Sequence, residues 1–286
     1  MRPGRPSYTA EGAAAIRALE TLAPAHFRVF EDRYALALLS TARRIRMLPG
    51  IRHLIVRMVE RKLPGVIAFT AARARWIDER LLAAAPAVDQ IVFLGAGYDT
   101  TFARHPELAE RLAYFEVDHP DTQISKMERI ARRRHVFGET FDRVRPVAVD
   151  FQREDLETRL LEEGYRPDAR TCFVWSGVAM YLDREAVERT LRVIGKAAPG
   201  SHLLFDALVK REFERSEYAR ARAIFQKWGE AIRFTIDPED VKEFLGRFGL
   251  EVVDLTEGPA LREMYFAKED PRRIQPGGIV VHGRRG

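Results

Sequence analysis

The stretch Ile91-Val92-Phe93-Leu94-Gly95-Ala96-Gly97-Tyr98-Asp99-Thr100 decides how this chain is read. A short β-branched and apolar run enters a pair of glycines and then a helical pattern, which predicts a strand, a sharp turn and a helix start. Glycine at 95 and 97 lets the backbone turn tightly and approach a ligand with no Cβ in between. The next such run, Tyr114 to Val117, ends in Asp118, 21 residues after Gly97. A spacing of about 20 residues is where a second parallel strand presents a carboxylate to the hydroxyls of an adenosine ribose. Alone, a Gly-x-Gly is often an ordinary strand-to-helix turn, and an acid at a strand end is often a cap; their spacing carries the ligand reading. Thr100 stands where a dinucleotide fingerprint has Gly or Ala, which narrows access for a pyrophosphate. An adenosine ligand without phosphate fits better, and S-adenosylmethionine is the commonest of these.

Outward from that motif, QIVFLG, AYFEVD, PVAVDF, TCFVWSG and SHLLFDALV alternate with helical stretches from residue 87 onward. Such alternation predicts βαβ units and a parallel sheet covered on both faces. LEVVDLT and GIVVHGR supply two further strands, which suits a seven-stranded, mostly parallel Rossmann-like sheet with a reversed last strand. Before it, residues 1–86 read as a helical cap, with Tyr34, Leu38 and Leu39 and again Leu54, Ile55, Met58 and Val59 at helical spacing, punctuated by Pro24, Pro49-Gly50 and Pro64-Gly65. Residues 87–286 form the predicted core, and the charged segment 210–236 interrupts it as a helical insert, a lid or wall. Asp237-Pro238 then predicts a helix start, with Asp237 as the cap.

Composition sets the outer limits. Of 286 residues, 46% are apolar and 31% charged, a globular balance rather than a disordered one, and the net charge of +5 favours anionic ligands without requiring nucleic acid. The single cysteine, Cys172, excludes an intrachain disulfide and a cysteine-based zinc cluster, pointing to a reducing compartment. No apolar run reaches the roughly 18 residues of a membrane span. The first 20 residues, interrupted by Arg2, Arg5, Glu11 and Arg17, do not read as a secretory signal. The expectation is a soluble, cytoplasmic chain without a membrane or nucleic-acid partner.

LGAGYDTTFAR followed by YFEVDHPDTQISK resembles the leucine carboxyl methyltransferase family, which includes bacterial small-molecule O-methyltransferases. The likeness extends to AARARWIDE, VAVDF and SGVAMYL, about Asp32 to Leu208. It implies a class I S-adenosylmethionine-dependent methyltransferase with a helical cap over the substrate pocket. By the same resemblance, Arg73 would pair with the cofactor's methionine carboxylate and Gly95 and Gly97 would line its middle. Asp118 would hold the ribose, and Asp150 with Phe151 would border the adenine. The family's usual Glu before Gly177 is here Ser176, which can accept a hydrogen bond from the cofactor's ammonium group but supplies no charge.

Methyl transfer from a sulfonium is an in-line displacement that requires no metal; water exclusion and alignment are the protein's main contributions. A carboxylate acceptor, with a pKa near ~4, is already ionised and needs no base. A hydroxyl acceptor would need one, and His119 is the candidate, although a helix-capping role suits its place in VDHP. Tyr181, after the fourth strand, is a candidate for orienting the acceptor, and Arg33 and Tyr34 on the cap for holding an acidic one. Two rivals are a nucleic-acid methyltransferase, prompted by Arg43-Arg44, Arg132-Arg133-Arg134 and Arg272-Arg273, and a scaffold that has lost catalysis, prompted by Ser176. The favoured reading is methylation of a small-molecule acceptor, most readily its carboxylate.

Overall fold

The computed structural model describes residues 6–286. Arg2 and Arg5, used above in reading the amino end, lie outside the described residues. Seven strands, β1 (Gln90–Leu94), β2 (Ala113–Asp118), β3 (Val144–Ala148), β4 (Thr171–Trp175), β5 (His202–Leu208), β6 (Leu250–Glu257) and β7 (Gly278–Arg285), form one sheet in the order β3-β2-β1-β4-β5-β7-β6. The first five pair in parallel, while β7 runs antiparallel to both β5 and β6. Every residue of β1 and β4 is buried, as unbroken apolar runs covered on both faces should be. β6, at the edge, mixes Glu251 and Asp254 with its apolar residues, which discourages pairing with another chain.

All seven strands lie on the runs that predicted them, but β3 ends earlier than PVAVDF implied. The Asp150 side chain turns the chain by accepting from Gln152 N at 3.0 Å, so Asp150 and Phe151 sit in a loop beyond the sheet's carboxyl edge.

The cap consists of α1 (Tyr8–Thr21), α2 (Thr41–Ile45), α3 (Ile51–Lys62) and α4 (Val66–Ala84). Around the sheet run α5 (Thr101–Arg104), α6 (Pro106–Arg111), α7 (Pro120–Ala131), α8 (Arg134–Phe137), α9 (Leu156–Glu162) and α10 (Arg184–Gly195). The segment after β5 holds α11 (Lys210–Glu214) and α12 (Ala219–Trp228), and α13 (Pro238–Gly246) and α14 (Gly258–Tyr265) follow. Asp237 occupies the cap position of α13, yet its carboxylate accepts from Arg211 N at 2.9 Å instead, tying the insert to that helix. Cap and sheet share one core, in which Leu38, Phe69 and Trp76 pack with Ile91, Tyr114 and Val280. Cys172 belongs to it as well; burial pushes its thiol up to about 12, as befits a packing residue.

The helical reading of Tyr34, Leu38 and Leu39 is corrected: the stretch is a turn and a short 3-10 helix, Ala35–Leu38. Its organiser is Asp32, whose Oδ1 accepts from Ala35 N at 2.9 Å and Tyr34 N at 3.1 Å, bending the chain before an α-helix can start. Asp32 Oδ2 accepts from Arg17 Nε at 2.8 Å and Thr100 Oγ1 at 2.7 Å. Burial opposes this charge, but Arg17 and Arg104 outweigh it and hold the carboxyl below its usual range. The network latches cap to glycine loop and explains Thr100, a buried hydroxyl where a phosphate-binding turn would need glycine.

On β5 and β7, His202 Nδ1 and His282 Nε2 lie 2.9 Å apart. Burial first, then His202, lowers His282 to about 4. A histidine depressed in the folded state contributes stability above its ordinary pKa of 6.5 and loses it as pH falls toward 4. After screening at this half-exposed site, about 1 kcal/mol is expected to be lost over that window. Urea unfolding of His282→Asn beside the native chain at several pH values checks this; parallel curves would refute it.

Candidate functional site

The carboxyl ends of β1 to β4 converge on one cavity of about 1260 Å³, roofed by the cap and by α12. This exceeds the ~300–1,000 Å³ of a usual small-molecule pocket and leaves room for two ligands side by side.

At its floor, Gly95 and Gly97 have φ of +70° and +52°. A Cβ on Gly95 would overlap the Val178 side chain, and one on Gly97 would stand 3.0 Å from Ala10 Cβ of α1. Gly95→Ala therefore combines backbone strain with a clash and is expected to destabilise the fold by about 1–3 kcal/mol; a denaturation midpoint equal to that of the native chain would contradict it. Asp118 closes the loop from beneath: Oδ2 accepts from Gly97 N and Oδ1 from His119 N at 2.6 Å. Each carboxylate oxygen retains a further lone pair for a ligand. Burial raises the Asp118 carboxyl, with the two backbone N–H groups working against that rise.

Asp150 and Phe151 border the cavity from the loop after β3, and Ser176 from the end of β4. Beside Ser176, the Gly177 N–H donates to Asp206 Oδ1 at 2.5 Å, while Asp206 Oδ2 takes Arg73 Nη1 at 2.8 Å. Asp206, fully buried on β5, thus anchors Arg73 in the cavity wall. Arg75, two residues on, points elsewhere, paired with Glu79 and lying over the Tyr265 ring. The sequence reading missed Asp206, because an acid inside an apolar run shows no partner until β4 and β5 are adjacent.

All seven candidate cofactor residues, Arg73, Gly95, Gly97, Asp118, Asp150, Phe151 and Ser176, line this one cavity, together with His119 and Tyr181. His119 caps α7 by accepting from Asp121 N through Nδ1 at 3.3 Å. Tyr181 sits under the start of α1 with a side-chain hydrogen bond to Thr9; burial and the nearby Glu230 carboxylate raise its phenol. Arg33 and Tyr34 are not brought to the cavity. Arg33 is exposed and paired with Glu31 at 2.5 Å, and Tyr34 packs on Phe137. Their turn is held by Asp32.

The amino end of α1, part of the expected cap, is fixed over the cavity by a contact between distant residues. Ser7 Oγ and Thr9 N donate to the two oxygens of buried Glu230 at 2.8 and 3.0 Å, so the segment after α12 holds α1 over Gly97. Further out, Ile16, Met47, Ile55, Val59, Leu63 and Ile67 make an apolar chamber, with Arg46 and Lys62 also on its lining.

This arrangement fits an adenosyl sulfonium. Gly95 and Gly97 leave the loop bare of side chains, Asp118 retains acceptor capacity for a diol, and Arg73 offers a cation to a carboxylate.

A model of the leucine carboxyl methyltransferase family matches residues 10–195. A protein of Parafrankia sp. (strain EAN1pec), provisionally named an S-adenosyl-L-methionine-dependent methyltransferase, is 38% identical over 157 residues, covering 54% of this chain and 48% of that protein. A provisionally named methyltransferase of the same type from Mycobacterium avium (strain 104) is 32% identical over 237 residues, 77% of this chain and 73% of its own. The chain spans about half to two thirds of the length of the first curated relatives it matches. A solved structure of a DUF574 family protein from Streptomyces avermitilis shares the fold, with a TM-score of 0.62 at 14% identity over 96% of this chain and 97% of that one.

Proposed function

This chain belongs to the leucine carboxyl methyltransferase family of S-adenosylmethionine-dependent methyltransferases, and on that premise we propose that it methylates the carboxylate of a small-molecule acceptor in the cytoplasm. The observation that carries the carboxylate reading is His119, the one histidine lining the cavity among the described residues. Its Nδ1 lone pair is engaged by Asp121 N, which leaves Nε2 as the protonated, donating nitrogen. With that lone pair turned to Asp121 N, His119 aims no acceptor at a substrate hydroxyl, and Tyr181, its pKa raised by burial, is held neutral. An acceptor already ionised needs neither.

When bound, the sulfonium cofactor supplies an electrophilic methyl group. Asp118 would hold its ribose, Asp150 and Phe151 would border its adenine, and Arg73, fixed by Asp206, would pair with its carboxylate. Ser176 would accept from its ammonium group. Ala10 and the strap from Glu230 to Ser7 and Thr9 cover the glycine loop, excluding water from the reacting atoms. The apolar chamber under α3 takes the body of the acceptor, and Tyr181 orients its reacting end.

Turnover of a carboxylic acid panel with labelled methyl donor tests this proposal. The expected product is a base-labile methyl ester formed with kcat/KM flat from about pH 6 to 9, since no side chain need titrate. Base-stable ethers formed with a steep rise near neutrality would establish a hydroxyl acceptor instead.

A further inference from the structure

Charge on this molecule is concentrated in one place. Residues 41–62 carry seven Lys and Arg against the single acid Glu60, a net of +6, whereas the whole chain carries +5. Glu60 is itself occupied, accepting from Gly65 N at 2.9 Å. Arg44, Arg46, Arg52, Arg57, Arg61 and Lys62 make no ion pair or side-chain hydrogen bond among the described residues, although most other arginines of the surface are paired. Arg133 is depressed by burial and, next, by Arg44, so the positive field extends beyond this segment to α7.

The same segment exposes apolar side chains. Ile45 is 52% exposed, Leu48 53%, Ile51 40% and Leu54 66%, with Met58 beside them. α3 contains no fully buried residue; Ile55 and Val59 face the cavity and Val56 touches the core, leaving Leu54, Arg57 and Arg61 along the outer edge. Solvated positive faces are common, and isolated exposed leucines are common. Unpaired cations interleaved with four exposed branched side chains over ten residues are the pattern of an element that lies in a lipid interface.

We propose that the outer edge of α2, the following turn and α3 docks on an anionic lipid surface, with Ile45, Leu48, Ile51 and Leu54 entering the headgroup boundary and the arginines contacting lipid phosphates. Charge complementarity selects an anionic surface, and the exposed aliphatic side chains select lipid over nucleic acid, whose recognition would use stacking or hydrogen-bonding groups here. The sequence reading expected no membrane partner because the chain has no span, but interfacial docking does not require one. Among the described residues no helix is long and apolar enough to cross a membrane. The cavity lining includes Arg46, Met58 and Lys62 of this segment, so a docked molecule would open toward the lipid.

Vesicle co-sedimentation tests the docking. The native chain is expected to bind vesicles of phosphatidylcholine mixed with phosphatidylglycerol, to ignore phosphatidylcholine alone, and to be released by salt. Arg52→Glu with Arg57→Glu should weaken binding by about tenfold or more, as should Leu48→Ser with Leu54→Ser. Both pairs are exposed, and unchanged melting and unchanged binding of S-adenosylhomocysteine would show that fold and cofactor site are intact, separating this proposal from the catalytic one. Absence of vesicle binding, equal binding to neutral vesicles, or native affinity in the serine variant would overturn it. So would retention on an RNA oligonucleotide in place of vesicles, which would assign the surface to nucleic acid.

Discussion

Asp118→Ala is expected to weaken binding of S-adenosylhomocysteine by about a hundredfold or more, because hydrogen bonds to a charged acceptor contribute about 1.5–3 kcal/mol each and the ribose offers two. The side chain also receives Gly97 N and His119 N, so some of the loss reflects a looser loop. Asp118→Asn separates the two contributions. It keeps the shape but only one acceptor oxygen, so its amide nitrogen must face either Gly97 N or His119 N; it should hold the loop better than alanine does while still binding weakly. Burial has raised the Asp118 carboxyl, so affinity in the native chain should decline on acidification earlier than an ordinary aspartate would dictate, since protonation removes an acceptor. Calorimetry of the three proteins checks this; alanine and native chains of equal affinity would remove Asp118 from the site.

The second large effect concerns stability. Lys126 Nζ meets Glu116 Oε2 at 2.6 Å with both side chains buried, and Glu116 Oε1 has no partner. Burial, only partly relieved by Lys126, pushes Glu116 up to about 7. Lys126→Met strands that carboxylate and should cost about 3–5 kcal/mol at pH 8. The sign with pH follows from linkage. A carboxyl raised in the folded state above its unfolded value of 4.5 contributes stability at low pH and loses it as pH rises through the folded pKa. Without Lys126 that pKa climbs further, so the deficit should shrink markedly between pH 8 and pH 5, and Glu116→Gln added to Lys126→Met should restore most of it at pH 8. Urea titrations at both pH values decide; a deficit independent of pH would mean that packing, not charge, holds the pair.

The sheet was legible because its strands are unbroken apolar runs separated by helices, a pattern with one economical solution. The floor of the site was legible for a related reason: Gly95, Gly97 and Asp118 are local to strand ends, where chain direction alone brings them together. What stayed hidden depends on contacts distant in sequence. Asp206 is an acid within an apolar strand until Arg73, 133 residues away, turns out to face it. Glu230 is one more charge on the insert until Ser7 and Thr9 reach it. Tyr34 and Leu38 have helical spacing, yet Asp32 claims the backbone N–H groups of Tyr34 and Ala35. Periodicity records which residues are buried, and a buried turn can imitate a helix.

A crystal structure of the chain with S-adenosylhomocysteine shows where the nucleoside sits. The ribose diol is expected to be hydrogen-bonded to Asp118, the adenine beside Phe151, and the sulfur facing the apolar chamber under α3. A nucleoside seated elsewhere, with Asp118 bound only to Gly97 and His119, would contradict this placement.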